Sequence, residues 1–199
     1  EAVTHAFDRQ AINLAETLGH SKISGSIIPV SFDYYWQPPV PAYDPARARK
    51  LLADAGYPSG LDAGEYFCDV SYANVGEAVI NYLEALGIRT KMRALERAAF
   101  YKNYSDKKLK NLIQGSSGAF GNAATRIEAY VAAGGAYVYG SSPDIDGLFS
   151  EQAAERDRGK REAILHKIQQ LVHERVLYAP IWQLSFLNGV GPRVAESGL

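Results

Sequence analysis

The sequence predicts an α/β fold with a mostly parallel central sheet flanked by helices, and three observations carry that expectation. First, Glu65–Ala73 concentrates Tyr66, Phe67, Cys68, Val70 and Tyr72, the residue types of a strand. After it, Asn74 can cap a helix whose apolar stripe is Val75, Val79, Ile80, Leu83 and Leu86, closed by Gly87. Second, Ile88–Leu95 alternates: Ile88, Thr90, Met92 and Ala94 face one way, Arg89, Lys91 and Arg93 the other. Strand, helix and strand at this spacing form a βαβ unit, which implies parallel pairing. Third, Leu109–Gln114 reads as another short strand after an intervening helix at Glu96–Asp106.

The other elements follow in chain order. Glu1–Gly19 reads as two short helices, the second capped by Asp8 and carrying Ile12, Ala15 and Leu18. Pro29, Pro38, Pro39 and Pro41 rule out a long helix in His20–Pro41, so this is a long loop. Its aromatic run Phe32-Asp33-Tyr34-Tyr35-Trp36 can lid the core or stack on a ligand. Asp44 and Pro45 open a short amphipathic helix with Ala48, Leu51, Leu52 and Ala55 on one side; Gly56 and Pro58 end it. Ala123–Ala133 looks helical and Gly134-Gly135 stops it; Asp144, Ile145, Asp146 and Leu148 fit the next helix. Asp157–Val176 is the longest helix, with Ile164, Leu165, Ile168, Leu171 and Val172 buried, and Leu177–Leu187 reads as a final apolar strand. The sequence contains no internal repeat and no low-complexity tract.

Composition limits the function. The chain has 199 residues and 47% hydrophobic content, enough for a real core, and one compact domain is the simpler expectation. A net charge of −1 gives no strong field toward nucleic acid or an anionic membrane. No apolar run is long enough to span a bilayer, and no signal peptide is present. Cys68 is the only cysteine, so an internal disulfide is excluded, and its apolar neighbours point to a buried small hydrophobe.

Two function classes compete. A small α/β enzyme or fragment, hydrolase-like or metal-dependent, would use His166, His173 or Cys68. The two histidines share a helix face with Glu162 one turn before His166, but the tight two-His spacing of a zinc protease is missing. There is no Gly-x-Ser-x-Gly elbow, and Gly115-Ser116-Ser117-Gly118 lacks the Lys-Ser or Lys-Thr of a phosphate loop. The expectation is therefore no metal, no cofactor and no catalysis. A binding protein would use Gly115–Asn122, which leaves the carboxyl end of a predicted parallel strand, where open α/β sheets take their ligands. Small residues there admit close approach, Ser116 and Ser117 offer hydroxyls, Phe120 a stacking face, and Asn122 a donor and acceptor. Tyr72 and Asn74, after the first strand, would lie alongside. Each of these residues also has a plain turn or capping role.

The exact wording of three stretches resembles a family. AYDPARARKLLADAGYPSG (Ala42–Gly60), EAVTHAFDRQAINLAETLG (Glu1–Gly19) and LYAPIWQLSFLNGVGPRV (Leu177–Val194) look like the solute-binding proteins of peptide, dipeptide and nickel ABC importers, the extracellular solute-binding proteins of family 5. The resemblance implies a periplasmic-binding-protein-like fold with residues 1–199 as its C-terminal lobe, the partner lobe lying outside this sequence. It implies an exported, periplasmic protein whose signal lies upstream, which binds a small solute and docks on membrane permease subunits. It also implies that the segment after Leu109–Gln114 and the segment around Tyr72–Asn74 face the ligand, with hinge-facing groups near Trp182 and Gln183; the candidate ligand contacts are then Tyr72, Asn74, Ser116, Ser117, Phe120, Asn122 and Trp182, with Trp36 added from the reading of the aromatic loop. Peptide-binding members carry an Asp in the loop matching Gly115–Asn122; here no acid occurs between Gly115 and Ile127. Dipeptide binders hold the carboxylate with an Arg near the position of Ser71–Asn74, and none stands there. Buried ligand charge without a counter-charge is costly. The expected solute is therefore neutral, aromatic, or sugar- or opine-like, and not a zwitterionic dipeptide.

Overall fold

The computed structural model describes residues 1–116, 118, 121–185 and 190–193. Its elements are α1 (Ala2–Ala6), α2 (Arg9–Thr17), β1 (Lys22–Ile23), α3 (Pro45–Asp54), β2 (Leu61–Asp69), α4 (Ala73–Glu84), β3 (Ile88–Leu95), α5 (Arg97–Ser105), β4 (Leu112–Gln114), α6 (Ala123–Tyr130), α7 (Pro143–Ala154), α8 (Arg158–Glu174) and β5 (Trp182–Gln183). The α/β architecture with a parallel sheet is the one expected. Its three strands run in the order β3-β2-β4, all parallel, with Cys68 opposite both Ala94 and Gln114. β2 is thus central, and the chain leaves β2 and β4 side by side at their carboxyl ends.

Local chemistry sets the element ends. Asp8, Asp44, Glu96 and Asp157 each accept hydrogen bonds from backbone N–H groups in the first turn of the helix they precede. Gly60 and Gly87 pack backbone to backbone where β2 and β3 begin. A Cβ on Gly60 would lie 2.1 Å from the Gly87 carbonyl oxygen, and Gly60 has φ +81°, so only glycine fits.

The core forms three clusters. Helices α1–α4 pack Phe7, Ile12, Leu52, Val79 and Leu83 under Tyr66 and Cys68 of β2. Helices α6–α8 pack Ile127, Ile145, Leu165 and Ile168 with Ile28 and Phe32. Phe100, Tyr104 and Leu109 form the third cluster around α5. Phe32 is buried and Tyr34 and Tyr35 pack on the second cluster, so these aromatics lid the core.

Four sequence expectations are corrected. The first strand stops at Asp69 and not at Ala73, because the Asp69 carboxylate accepts the Ser71 N–H at 3.0 Å and turns Val70–Tyr72 into a single 3-10 turn. Asn74 does not cap α4: it lies inside the helix, exposed, with its amide donating to Glu16 Oε2 at 3.0 Å. β4 begins only at Leu112, after Asn111 takes a left-handed conformation (φ 65°). Leu177–Leu187 is not one strand. Among the described residues only Trp182–Gln183 pairs, antiparallel to Lys22–Ile23 inside the expected loop. Pro180 has no N–H to give a ladder, and its carbonyl is taken by Arg9 Nε at 2.8 Å.

Leu83 is completely buried between α4 and the sheet. Leu83→Ala is expected to lower the unfolding free energy by about 2–5 kcal/mol, read from the urea midpoint at unchanged slope.

Candidate functional site

The three core clusters do not close on one another. Between them lies a cavity of about 950 Å³, lined by Tyr66, Tyr72 and Gln114 from the sheet ends, by Arg97, Tyr101 and Tyr104 of α5, by Arg126 and Tyr130 of α6, and by Trp182. It sits at the carboxyl ends of β2 and β4, where an open parallel sheet receives ligands.

Polar links hold its floor. Tyr66 donates its phenolic hydrogen to Gln114 Oε1 at 2.7 Å, and Gln114 Nε2 donates to the Tyr72 carbonyl at 3.1 Å. This chain ties the exits of β2 and β4 together. Gly76 leaves room for it: a Cβ there would stand 3.2 Å from both Gln114 Oε1 and the Tyr66 ring.

One wall is aromatic. Tyr137 lies 4.9 Å from both Tyr104 and Tyr130, centroid to centroid, and 6.0 Å from Tyr101. Tyr101 and Tyr130 each donate to the Ser116 carbonyl, at 3.2 and 3.1 Å, and Tyr101 also bonds Ser116 Oγ at 2.8 Å. Tyr178 donates to the Tyr130 carbonyl. Burial pushes the phenols of Tyr130 and Tyr178 up to about 12, and that of Tyr104 higher still.

The charges are cationic. Arg97, Lys110 and Arg126 line the cavity, with no Asp or Glu among the described lining residues. Arg97 donates to the buried Asp69 carboxylate at 3.0 Å and lies over the Tyr101 ring at 5.4 Å. Tyr72, then Tyr101, raise its pKa. Arg126 is 7% exposed, lies 5.3 Å from the Phe32 ring centre and 5.5 Å from that of Tyr130, and donates to the Gly118 carbonyl. Desolvation lowers its pKa.

Of the residues expected at a site, the structure brings Tyr72, Ser116 and Trp182 to this cavity, with Gln183. Asn122 is not among its lining. It closes a capping box, accepting the Thr125 N–H at 3.1 Å while Thr125 Oγ1 accepts its own N–H. Asn74 points to Glu16, as above. Trp36 lines a separate cleft of about 520 Å³ and meets His173 edge-on at 5.9 Å. Ser117 and Phe120 lie outside the described residues. Sequence reasoning missed Arg97, Arg126, Gln114 and most of the tyrosine wall. Tyr101 and Tyr104 read only as members of the Glu96–Asp106 helix, and thirteen tyrosines in one chain were the signal available.

The enzyme candidates are not assembled. His166 Nε2 lies 3.8 Å from Glu162 Oε1, and His173 packs on Trp36. No group of three or more His, Cys, Asp or Glu among the described residues is placed to hold a metal ion. Cys68 is fully buried with Sγ 3.4 Å from Met92 Sδ, and desolvation, then Asp69 and Glu77, push its thiol up, away from the reactive thiolate.

The α/β body thus carries a ligand-sized cavity at its strand ends. A family model of bacterial extracellular solute-binding proteins, family 5 (middle), matches residues 1–137, and the chain belongs to that family. Heme-binding protein A of Haemophilus influenzae is 24% identical over 208 residues, spanning 98% of this chain and 38% of that protein. Glutathione-binding protein GsiB of Salmonella typhimurium is 38% identical over 61 residues, 31% of this chain and 12% of that protein. Among solved structures, the periplasmic binding protein DppA of Helicobacter pylori in complex with peptide STSA superposes with a TM-score of 0.79 at 20% identity, covering 92% of this chain and 37% of that one. AgaA of A. tumefaciens R10, in complex with agropinic acid, gives 0.75 at 24% identity, covering 87% and 37%. The chain therefore spans under two-fifths of the length of these relatives. Family 5 proteins are periplasmic or extracellular substrate-binding components that deliver ligands to ABC permeases, without catalysis; this replaces the hydrolase-like or metal-dependent alternative.

The raised phenols give a pH dependence. The folded state holds these protons more tightly than the unfolded chain does, so their contribution is complete below pH 10.0, the ordinary tyrosine value. It is lost as pH rises through about 12. Urea midpoints are expected to be insensitive to these groups below pH 10.0 and to fall above it, with a fraction of tyrosine absorbance appearing only on unfolding. Ionisation of all tyrosines near pH 10.0 in the folded protein would contradict the buried wall.

Proposed function

We propose that residues 1–199 are the second, C-terminal lobe of a two-lobed solute-binding protein, and that the aromatic cavity is this lobe's half of the ligand site. The full-length polypeptide, exported from the cytoplasm, closes both lobes on a small solute and delivers it to the membrane subunits of an ABC importer. Tyr72, Ser116, Trp182 and the tyrosine wall contact the solute from this side. Asn74, Asn122 and Trp36 hold secondary positions, since each is engaged elsewhere in the lobe.

The observation that carries this reading is the cavity itself: about 950 Å³, at the carboxyl ends of two parallel strands, faced by rings. Its size and lining suit an aromatic, opine-like or sugar-like solute. The lack of a lining acid argues against a zwitterionic dipeptide, whose ammonium would be buried unpaired. The guanidinium groups of Arg97 and Arg126 weaken the preference for a strictly neutral solute that the sequence suggested. The proteins similar to this one are described with heme, glutathione, peptide and agropinic acid as ligands, a range that fits a variable pocket on a constant frame.

The test is a thermal shift of the full-length polypeptide against dipeptides, sugars, aromatic acids, opines and nickel. A solute at a hundred times its dissociation constant stabilises by about 2.7 kcal/mol, a shift that is readily measured. Shifts with aromatic acids or opines are expected. Shifts with dipeptides alone would overturn the solute class, and no shift with any compound would overturn the binding function.

A further inference from the structure

We propose that Arg126 is an anion subsite within this cavity, made to take the carboxylate of an aromatic or otherwise apolar acid; the proposal rests on the solute-binding reading above. Three arginines near the core are satisfied in different ways. Arg9 is 4% exposed and donates to three carbonyls, those of Pro180, Thr4 and Pro41, at 2.8, 3.0 and 3.1 Å. It pins α1, the proline-rich loop and the approach to β5, which is a structural task, and although its Nη2 also lacks a partner among the described residues, Arg9 is absent from the lining of the strand-end cavity. Arg97 is charge-compensated by the Asp69 carboxylate. Arg126 has neither arrangement. It is more than nine-tenths buried, has no carboxylate partner among the described residues, donates to the Gly118 carbonyl and lies within reach of the Tyr130 hydroxyl. Its Nε–H is buried with no hydrogen-bond partner among the described residues.

A guanidinium buried this deeply with an idle donor is costly unless something anionic completes it. Arg126 borders the cavity, and every ionisable lining residue other than the tyrosines is cationic. The rings of Phe32 and Tyr130 both lie near the guanidinium, at 5.3 and 5.5 Å from centroid to guanidinium carbon, which limits its freedom and favours a planar two-oxygen acceptor. Tyr130 continues into Tyr137 and Tyr104, so an acid whose carboxylate meets Arg126 would lay its apolar body along that wall. An ammonium in the same position would meet only positive charge.

The experiment uses the full-length polypeptide and two probes of matched shape, benzoate and benzamide, with the Arg126 Nε–H resonance followed by NMR and that of exposed Arg89 as internal reference. Benzoate is expected to shift the Arg126 signal saturably while Arg89 stays still, and benzamide to leave both unmoved. Arg126→Met is expected to weaken benzoate binding about ten-fold or more, and Arg126→Lys to recover part of the loss, since it restores the charge without the fork. An unmoved Arg126 resonance under benzoate, or equal responses to benzoate and benzamide, overturns the subsite. The wild-type titration decides this even if either variant fails to fold. Solutes that bind equally well as acid and amide would leave the solute-binding reading standing and remove this one.

Discussion

The arrangement around the cavity depends on one buried carboxylate. Asp69 ends the central strand at 1% exposure, and a charge so placed must be paired. It accepts the Ser71 N–H, which stops the strand and turns the chain into α4, and it receives Arg97, which fixes the start of α5 beside Tyr72. The exit of β2, the entry of α4 and the entry of α5 are thereby locked at one corner. β4 joins the same corner through Gln114, which bonds both Tyr66 and the Tyr72 carbonyl.

From that corner the cavity follows as unfilled space between three cores. Each cluster satisfies its own helices, and the gap between them is faced by tyrosines together with aliphatic side chains such as Val75, Leu112 and Ile181. Tyrosine suits the task because its ring presents apolar area while its hydroxyl can pin a neighbouring backbone. Tyr101 and Tyr130 both do so at Ser116, and Tyr178 does so at Tyr130. The wall is therefore held by hydrogen bonds to backbone, which keeps its shape when no ligand is bound. Rigid surfaces of this kind lose little entropy on binding.

Arg9, Arg97 and Arg126 show how one residue type serves three purposes. Desolvation lowers the Arg9 pKa to about 10, yet the group stays protonated at neutral pH and its donors knit three distant segments together. Arg97 neutralises a buried acid. Arg126 combines burial, two neighbouring aromatic rings and an idle donor at the edge of the cavity. In a family whose frame is shared and whose ligands vary, unbalanced charge in the pocket is where selectivity would be written.

Local grammar in the sequence determined most elements. The caps at Asp8, Asp44 and Asp157, the alternation of Ile88–Leu95 and the βαβ spacing are all short-range signals, so the α/β class and the parallel sheet were legible, as was the family from three worded stretches. Tyr72, Ser116 and Trp182 were also within reach, because they sit beside strand ends. What the sequence did not determine was which side chains converge. Arg97 and Arg126 lie 29 residues apart on helices whose apolar faces are weak, and nothing local distinguishes either from a surface arginine. The short pairing of Trp182–Gln183 with Lys22–Ile23 joins the two ends of the chain, and Asn74 and Asn122 were spent on contacts that no spacing rule reveals. Those outcomes were decided by tertiary structure alone, because burial, charge pairing and the hydrogen bonds that long-range packing leaves unmade exist only once distant segments meet.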